Sequence, residues 1–138
     1  MTGPLVALAT DALDCLAREH SAAHRLMCAR LGARSLAIAL DGEQFTIAGG
    51  HDRVAIVAPT AGATLTVRTD AATLDDLLSG ELTVVDALDS DRLELRGAID
   101  DLVAAFGAAA AFLRGAVRCL AMPRLLERLH HHARGHTS

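Results

Sequence analysis

The sequence has few of the residues on which many binding sites are built. Its 138 residues include three phenylalanines but no tryptophan and no tyrosine, and its formal net charge is −4. A nucleic-acid-binding protein needs a basic surface and, for single strands, aromatic rings on which bases stack. We therefore expect no nucleic-acid partner.

Cysteine is also scarce, and its spacing is uninformative. Cys15, Cys28 and Cys119 are odd in number and form no Cys-x-x-Cys pair. Neither a disulfide framework nor a zinc knuckle follows from such a set. Buried, reduced thiols in a cytoplasmic protein are the expected state, and no metal site is predicted.

Long uncharged runs are missing as well. The most apolar stretch, residues 104–113, is much shorter than the ~20 residues that cross a bilayer, and charged residues flank it. The first 20 residues lack the basic start of a signal peptide, and Asp11 and Asp14 interrupt their apolar run. We expect a cytoplasmic protein without a transmembrane segment.

What the chain does contain is small and aliphatic. Hydrophobic residues make up 51% of the sequence, and alanine, leucine and valine supply most of them. This length fits one domain, with residues 1–138 sharing a single core.

Alternating apolar and polar residues predict a sheet. Asp41-Gly42 is a strong hairpin signal between the first two strands. The short turns between the first four strands favour an antiparallel meander, one face of which helices must cover. The predicted strands span residues 35–40, 44–48, 53–58, 64–69 and 92–96.

Helical spacing dominates both ends of the chain. Residues 4–31 form one bent helix or two, Thr73 caps an acidic helix over 71–78, and a short helix covers 84–88. A long helix over 98–120 is followed by a basic amphipathic segment at 124–132. Since 104–113 carry no charge on any face, we expect the long helix to be buried on several sides.

The order of these elements resembles the sterol carrier protein type 2-like domain family over residues 11–120. The matching features are Leu-Leu-Ser-Gly-Glu-Leu at 77–82, a strand ending in glycine at 93–97 and the final amphipathic helix. The resemblance implies an α+β fold, with a five-stranded mixed, mainly antiparallel sheet covered on one face by helices. Residues 121–138 are then a C-terminal helical extension and tail.

The resemblance also implies a function, which is binding or carrying of a hydrophobic small molecule or lipid in an apolar tunnel. The tunnel is expected between the sheet and the long helix. The alanine-rich composition favours a bacterial source, so no sterol is inferred. The predicted ligand-binding residues are Leu65, Val67, Leu93 and Leu95 on the floor and Phe106, Leu113 and Val117 on the roof.

We expect a homodimer, because the uncharged belt at 104–113 leaves one side of the long helix for a partner. Two alternatives to the carrier function stay open. A small enzyme acting on an apolar intermediate would need an acid–base group at the tunnel mouth, such as His51 or Asp52. A structural or dimerising domain with a filled core is the second.

The histidines provide no catalytic pattern. His20 and His24 lie one helical turn apart without a His-Glu-x-x-His context, and His130–His132 fit a solvated tail. No catalytic residue, metal or cofactor is predicted, and a binding protein is favoured over an enzyme.

Overall fold

The computed structural model describes residues 3–50, 52–59 and 62–136. It has the predicted α+β architecture, and the N-terminal helical region is two helices. The elements in chain order are α1 (Pro4–Glu19), α2 (Ser21–Leu31), β1 (Ser35–Leu40), β2 (Glu43–Gly49), β3 (Val54–Val57), β4 (Leu65–Thr69), α3 (Ala71–Ser79), α4 (Val84–Asp89), β5 (Glu94–Arg96), α5 (Ile99–Ala116) and α6 (Met122–His136).

The five strands form one mixed sheet in the order β3-β2-β1-β4-β5. β1 is antiparallel to β2 and parallel to β4, and the other two pairings are antiparallel. The predicted mixed sheet is confirmed. The predicted four-strand meander is wrong, because β4 pairs with β1 instead of continuing beside β3.

Register explains how a short connection makes this crossover. Val57, at the end of β3, pairs with Thr46, which pairs with Ala37, which pairs in turn with Thr66. β3 therefore ends at the level where β4 begins. Three strand spacings of ~4.8 Å separate them, about 14 Å, and residues 58–64 can reach roughly 23 Å when extended.

Helices cover one face of the sheet. Ile38, Ile47 and Ile56 are one residue each from β1, β2 and β3. Their side chains pack in a cluster with residues of α1 and α6, including Leu5 and Leu129. A second cluster joins α1, α2 and α5 through Leu16, Met27 and Ala111. The opposite face carries exposed polar side chains.

Side chains from the sheet and its loops cap two of the helices. The Glu43 carboxylate accepts hydrogen bonds from the Leu5 and Val6 amides at 3.1 and 3.0 Å, at the positive end of α1. Asp70 caps α3 by accepting from the Thr73 amide at 2.7 Å. Thr73 is thus not the cap that the sequence predicted; it lies inside the first turn, where its buried hydroxyl accepts from Arg92 Nε at 3.1 Å.

The long helix differs most from its prediction. α5 ends at Ala116 and not at the predicted residue 120. The prediction that the helix is buried on several sides is wrong, because only its alanine and glycine face is buried. A methyl group at Gly115 would collide with the side chains of Leu16 and Ala23, so α1 and α2 approach this helix closely. The bulky residues of α5 stay outside that contact.

We expect Gly115→Ala to lower the free energy of unfolding by about 1–3 kcal/mol, because the added methyl overpacks this contact. Gly107→Ala in the same helix is the matched control. Its methyl meets Arg30 Cδ at 3.5 Å, an ordinary contact, so the usual helical gain of roughly 0.5–1 kcal/mol should raise stability. Urea unfolding of both variants measures this, and equal midpoints would contradict the close approach.

Candidate functional site

Of the four residues predicted to form the floor of the tunnel, two are buried in the protein and two are half buried. Leu65 and Leu93 are 1% and 8% exposed. Val67 and Leu95 lie directly opposite each other on β4 and β5 and are only half buried. The side chains of Val67 and Leu95, unlike those of Leu65 and Leu93, offer apolar surface to a ligand.

The predicted roof does not close over this floor. Phe106 and Leu113 are each 46% exposed and Val117 is 83% exposed. α5 packs mainly against α2 and less against α1. The expectation that these three residues form the inner stripe of the helix is therefore wrong, although their role in ligand binding remains a prediction.

The exposed residues form a continuous apolar strip, which we call the α5 stripe. At 100° per residue its members within α5 cluster on the side of the helix opposite Ala108 and Ala111, which are buried, and its last two members belong to the turn that follows α5. The alanine side fills the core because it allows close packing. The α5 stripe consists of Ile99, Val103, Phe106, Leu113, Val117 and Leu120, which are between 46% and 91% exposed.

Among the described residues, no helix has both the length and the hydropathy needed to cross a bilayer.

Two open clefts lie elsewhere. One, of about 700 Å³, is on the uncovered face of the sheet. There Glu94 lies 3.8 Å from Arg68 and 3.9 Å from Arg96, and this polar lining does not suit an apolar ligand. The other, of about 430 Å³, runs beside α1 and has Cys15 in its wall. Neither lies between the sheet and α5, so the location of the tunnel stays a prediction.

Two cysteines that the sequence left unconnected meet where α1 touches the turn after α5. The Cys15 thiol donates to Glu19 Oε2 at 3.0 Å, and Cys119 Sγ lies within 4.8 Å of Cys15 Sγ and of a Glu19 carboxylate oxygen. The Leu120 amide donates to Glu19 Oε1 at 2.7 Å. Sequence reasoning missed this cluster; the one local signal was the one-turn spacing of Cys15 and Glu19.

The charges in this cluster follow from its surroundings. Burial, the hydrogen bond to Glu19 and the neighbouring Cys119 raise the pKa of Cys15 to about 12. Hydrogen bonds from Cys15 and the Leu120 amide lower the pKa of Glu19 below its usual value. At neutral pH the cluster is a protonated thiol held against an ionised carboxylate.

The third cysteine is inert. Cys28 is buried, with its sulfur 3.9 Å from the His24 ring nitrogens. Burial, together with the negative charge of Asp52, raises the pKa of Cys28, which disfavours the nucleophilic thiolate. Asp52 itself is exposed, and His51, the other predicted acid–base candidate, lies outside the described residues.

The remaining histidines have structural positions. His20 Nδ1 accepts from the Ala23 amide at 3.3 Å and caps α2, whereas His24 is 8% exposed, so the two do not form the expected surface pair. His130 belongs to α6, where it lies 2.7 Å from Asp75 of α3. The predicted solvated tail is thus helical through His136.

Comparison with known proteins shows similarity in structure. No protein-family model and no curated protein matches the chain. The structure named "UbiJ-SCP2 Ubiquinone synthesis protein" is 21% identical, covers 79% of this chain and 92% of its own, and has a TM-score of 0.60. A conserved hypothetical protein from Thermus thermophilus, titled possibly a sterol carrier protein, is 24% identical over 79% of this chain and 83% of its own, with a TM-score of 0.53.

Sterol carrier protein 2 from Yarrowia lipolytica, in its apo form, is 11% identical over 80% of this chain and 88% of its own, with a TM-score of 0.52. At such identities the likeness concerns the backbone fold, and it covers 79–80% of this chain. The chain therefore has the sterol carrier protein 2-like fold.

Proposed function

We propose that the protein binds or carries a hydrophobic small molecule or lipid. The observation that carries this proposal is the α5 stripe, since contiguous exposed apolar surface of this kind marks an interaction site. Apolar pockets are lined mainly by such side chains with few polar groups. The names of the similar structures, a ubiquinone synthesis protein and sterol carriers, refer to apolar substances and support the same class of ligand.

The predicted site residues enter this proposal with different roles. Phe106, Leu113 and Val117 supply exposed surface on α5, and Val67 and Leu95 supply half-buried surface on the sheet. Leu65 and Leu93 are already buried, so they support the site from below. The tunnel between the sheet and α5, a cytoplasmic location and a bacterial origin remain predictions.

A matched pair of valines tests the ligand site. Val103 on α5 and Val85 on α4 are both 65% exposed. Asparagine is neutral and close to valine in size, so the substitution should change stability little at either position. We expect Val103→Asn to weaken binding of a fluorescent fatty acid by about tenfold, the loss of roughly one buried valine side chain.

Val85→Asn should bind the probe like the wild type. Equal weakening in the two variants would point to nonspecific adsorption, and a wild-type protein that binds no apolar probe would refute the carrier function.

A second copy of the chain is the other candidate occupant of the α5 stripe. The stripe is self-complementary when two α5 helices pair antiparallel. Small residues, Ala109 and Ala110, then lie at the crossing point, where backbones approach closely. Phe106 then faces Leu113 of the second copy, and Ile99 and Val103 lie toward the turn of that copy that carries Val117 and Leu120.

Charge favours the same arrangement. Asp100 lies near one end of the stripe and Arg118 near the other, and both are exposed. Antiparallel pairing places Asp100 of one copy near Arg118 of the other, twice per dimer, whereas parallel pairing places like charges together. Complementary charges of this kind fix the register of an interface.

Charge reversal tests the dimer. Asp100→Arg or Arg118→Asp alone should weaken self-association severalfold, and the double variant should restore it, because the opposite charges face each other again. Sedimentation at micromolar concentration reads out association. Arg124→Asp, an exposed arginine on α6, is the control that should have no effect.

A monomeric wild-type protein would exclude the dimer. The ligand and the second copy would use the same stripe. Native mass spectrometry with the fatty acid shows whether the ligand is bound by the monomer alone or also by the dimer.

A further inference from the structure

The cluster of Cys15, Glu19 and Cys119 has a donor set suited to a metal ion. Two sulfur atoms and one carboxylate oxygen all lie within 4.8 Å of one another. Cys15 and Glu19 are presented one turn apart by α1, and Cys119 comes from the turn between α5 and α6. The sulfur atoms are nearly inaccessible, with Cys15 1% and Cys119 4% exposed.

The spacing is close to that of a tetrahedral zinc site. Zinc–sulfur bonds of ~2.3 Å and zinc–oxygen bonds of ~2.0–2.2 Å place ligand atoms about 3.5–3.8 Å apart. Cys15 Sγ and Glu19 Oε2 lie 3.0 Å apart, somewhat closer than this. This pair must therefore open by roughly 0.5 Å or more, and a pair at the 4.8 Å limit must close by about 1 Å, to hold the ion.

The carboxylate is already oriented. Glu19 Oε1 accepts from the Leu120 amide at 2.7 Å, which leaves Oε2 directed toward the sulfur atoms. In metal sites, such a hydrogen bond to the non-ligating atom fixes the ligand and is as characteristic as the ligand itself. Here it also joins α1 to the residue that follows Cys119.

A cation can approach along the cleft beside α1. Cys15 lies in its wall, together with the carboxylates of Asp11 and Asp14. Arg18 also lines the cleft. Asp11 forms an ion pair with Arg128 at 2.9 Å, whereas Asp14 forms no ion pair with another described residue. With Asp11 paired, the charges of Asp14 and Arg18 offset each other, so the cleft has little net charge, and it ends at the Cys15 thiol.

We propose that Cys15, Glu19 and Cys119 bind one thiophilic divalent cation, of which zinc is the best match, with the fourth coordination position facing the cleft. Two thiolates exclude magnesium and calcium, which prefer oxygen ligands. Binding replaces the thiol protons with the metal and clamps α1 to the α5–α6 turn. The proposal does not rest on the binding of an apolar ligand to the α5 stripe.

Cobalt titration of the metal-stripped, reduced full-length protein tests the site, since cobalt reports thiolate ligands by its absorption. The wild type should take up one equivalent with a thiolate-to-cobalt band, zinc should displace it, and zinc should raise the melting temperature. Cys28→Ala, which removes the remaining buried thiol, should behave like the wild type.

Cys119→Ala should abolish the thiolate band, and Glu19→Gln should weaken zinc binding by about tenfold or more. Glu19 is exposed, so its variant keeps the test valid if the alanine variant does not fold. A wild type without the band, or a band that Cys28→Ala removes, would overturn the proposal. A protein whose mass shows Cys15 and Cys119 joined as a disulfide even after reduction would also overturn it.

Discussion

The close approach of α5 to α1 and α2 is the contact on which the other features depend. It is possible because Gly115 has no side chain and because Ala108 and Ala111 have short ones. Small residues on one side of a helix bring backbones together, and large residues must then lie on the other side. The α5 stripe is the direct result, and so is the position of the following turn, which carries Cys119 to Cys15.

Local signals in the sequence were sufficient for most of the fold. Alternation located β1 at its observed bounds, Ser35–Leu40, and Asp41-Gly42 identified the following hairpin. Pairing between distant strands was harder. Alternation predicts that a segment is a strand but not which neighbour it chooses, so the parallel partnership of β4 with β1 had no local signal.

The site was less predictable than the fold, and the reason is the size of the side chains. Periodicity assumes that large apolar residues face the core, which assigned Phe106 and Leu113 to the inside of α5. The structure buries alanine there instead, because a helix that packs at short distance has no room for larger groups. The thiol cluster could not be predicted for another reason, because Cys15 and Cys119 are far apart in sequence and are brought together only by the tertiary fold.

The strands at the two edges of the sheet have a consequence for how the protein avoids unwanted association. β3 has four residues and β5 has three, and they are shorter than the three strands between them. Short edges offer few free backbone groups to a foreign strand, and on β5 the charged Glu94 and Arg96 discourage such pairing further. Growth of the sheet by edge-to-edge addition is thereby limited, so the selectivity of contacts is left to side chains on the helices.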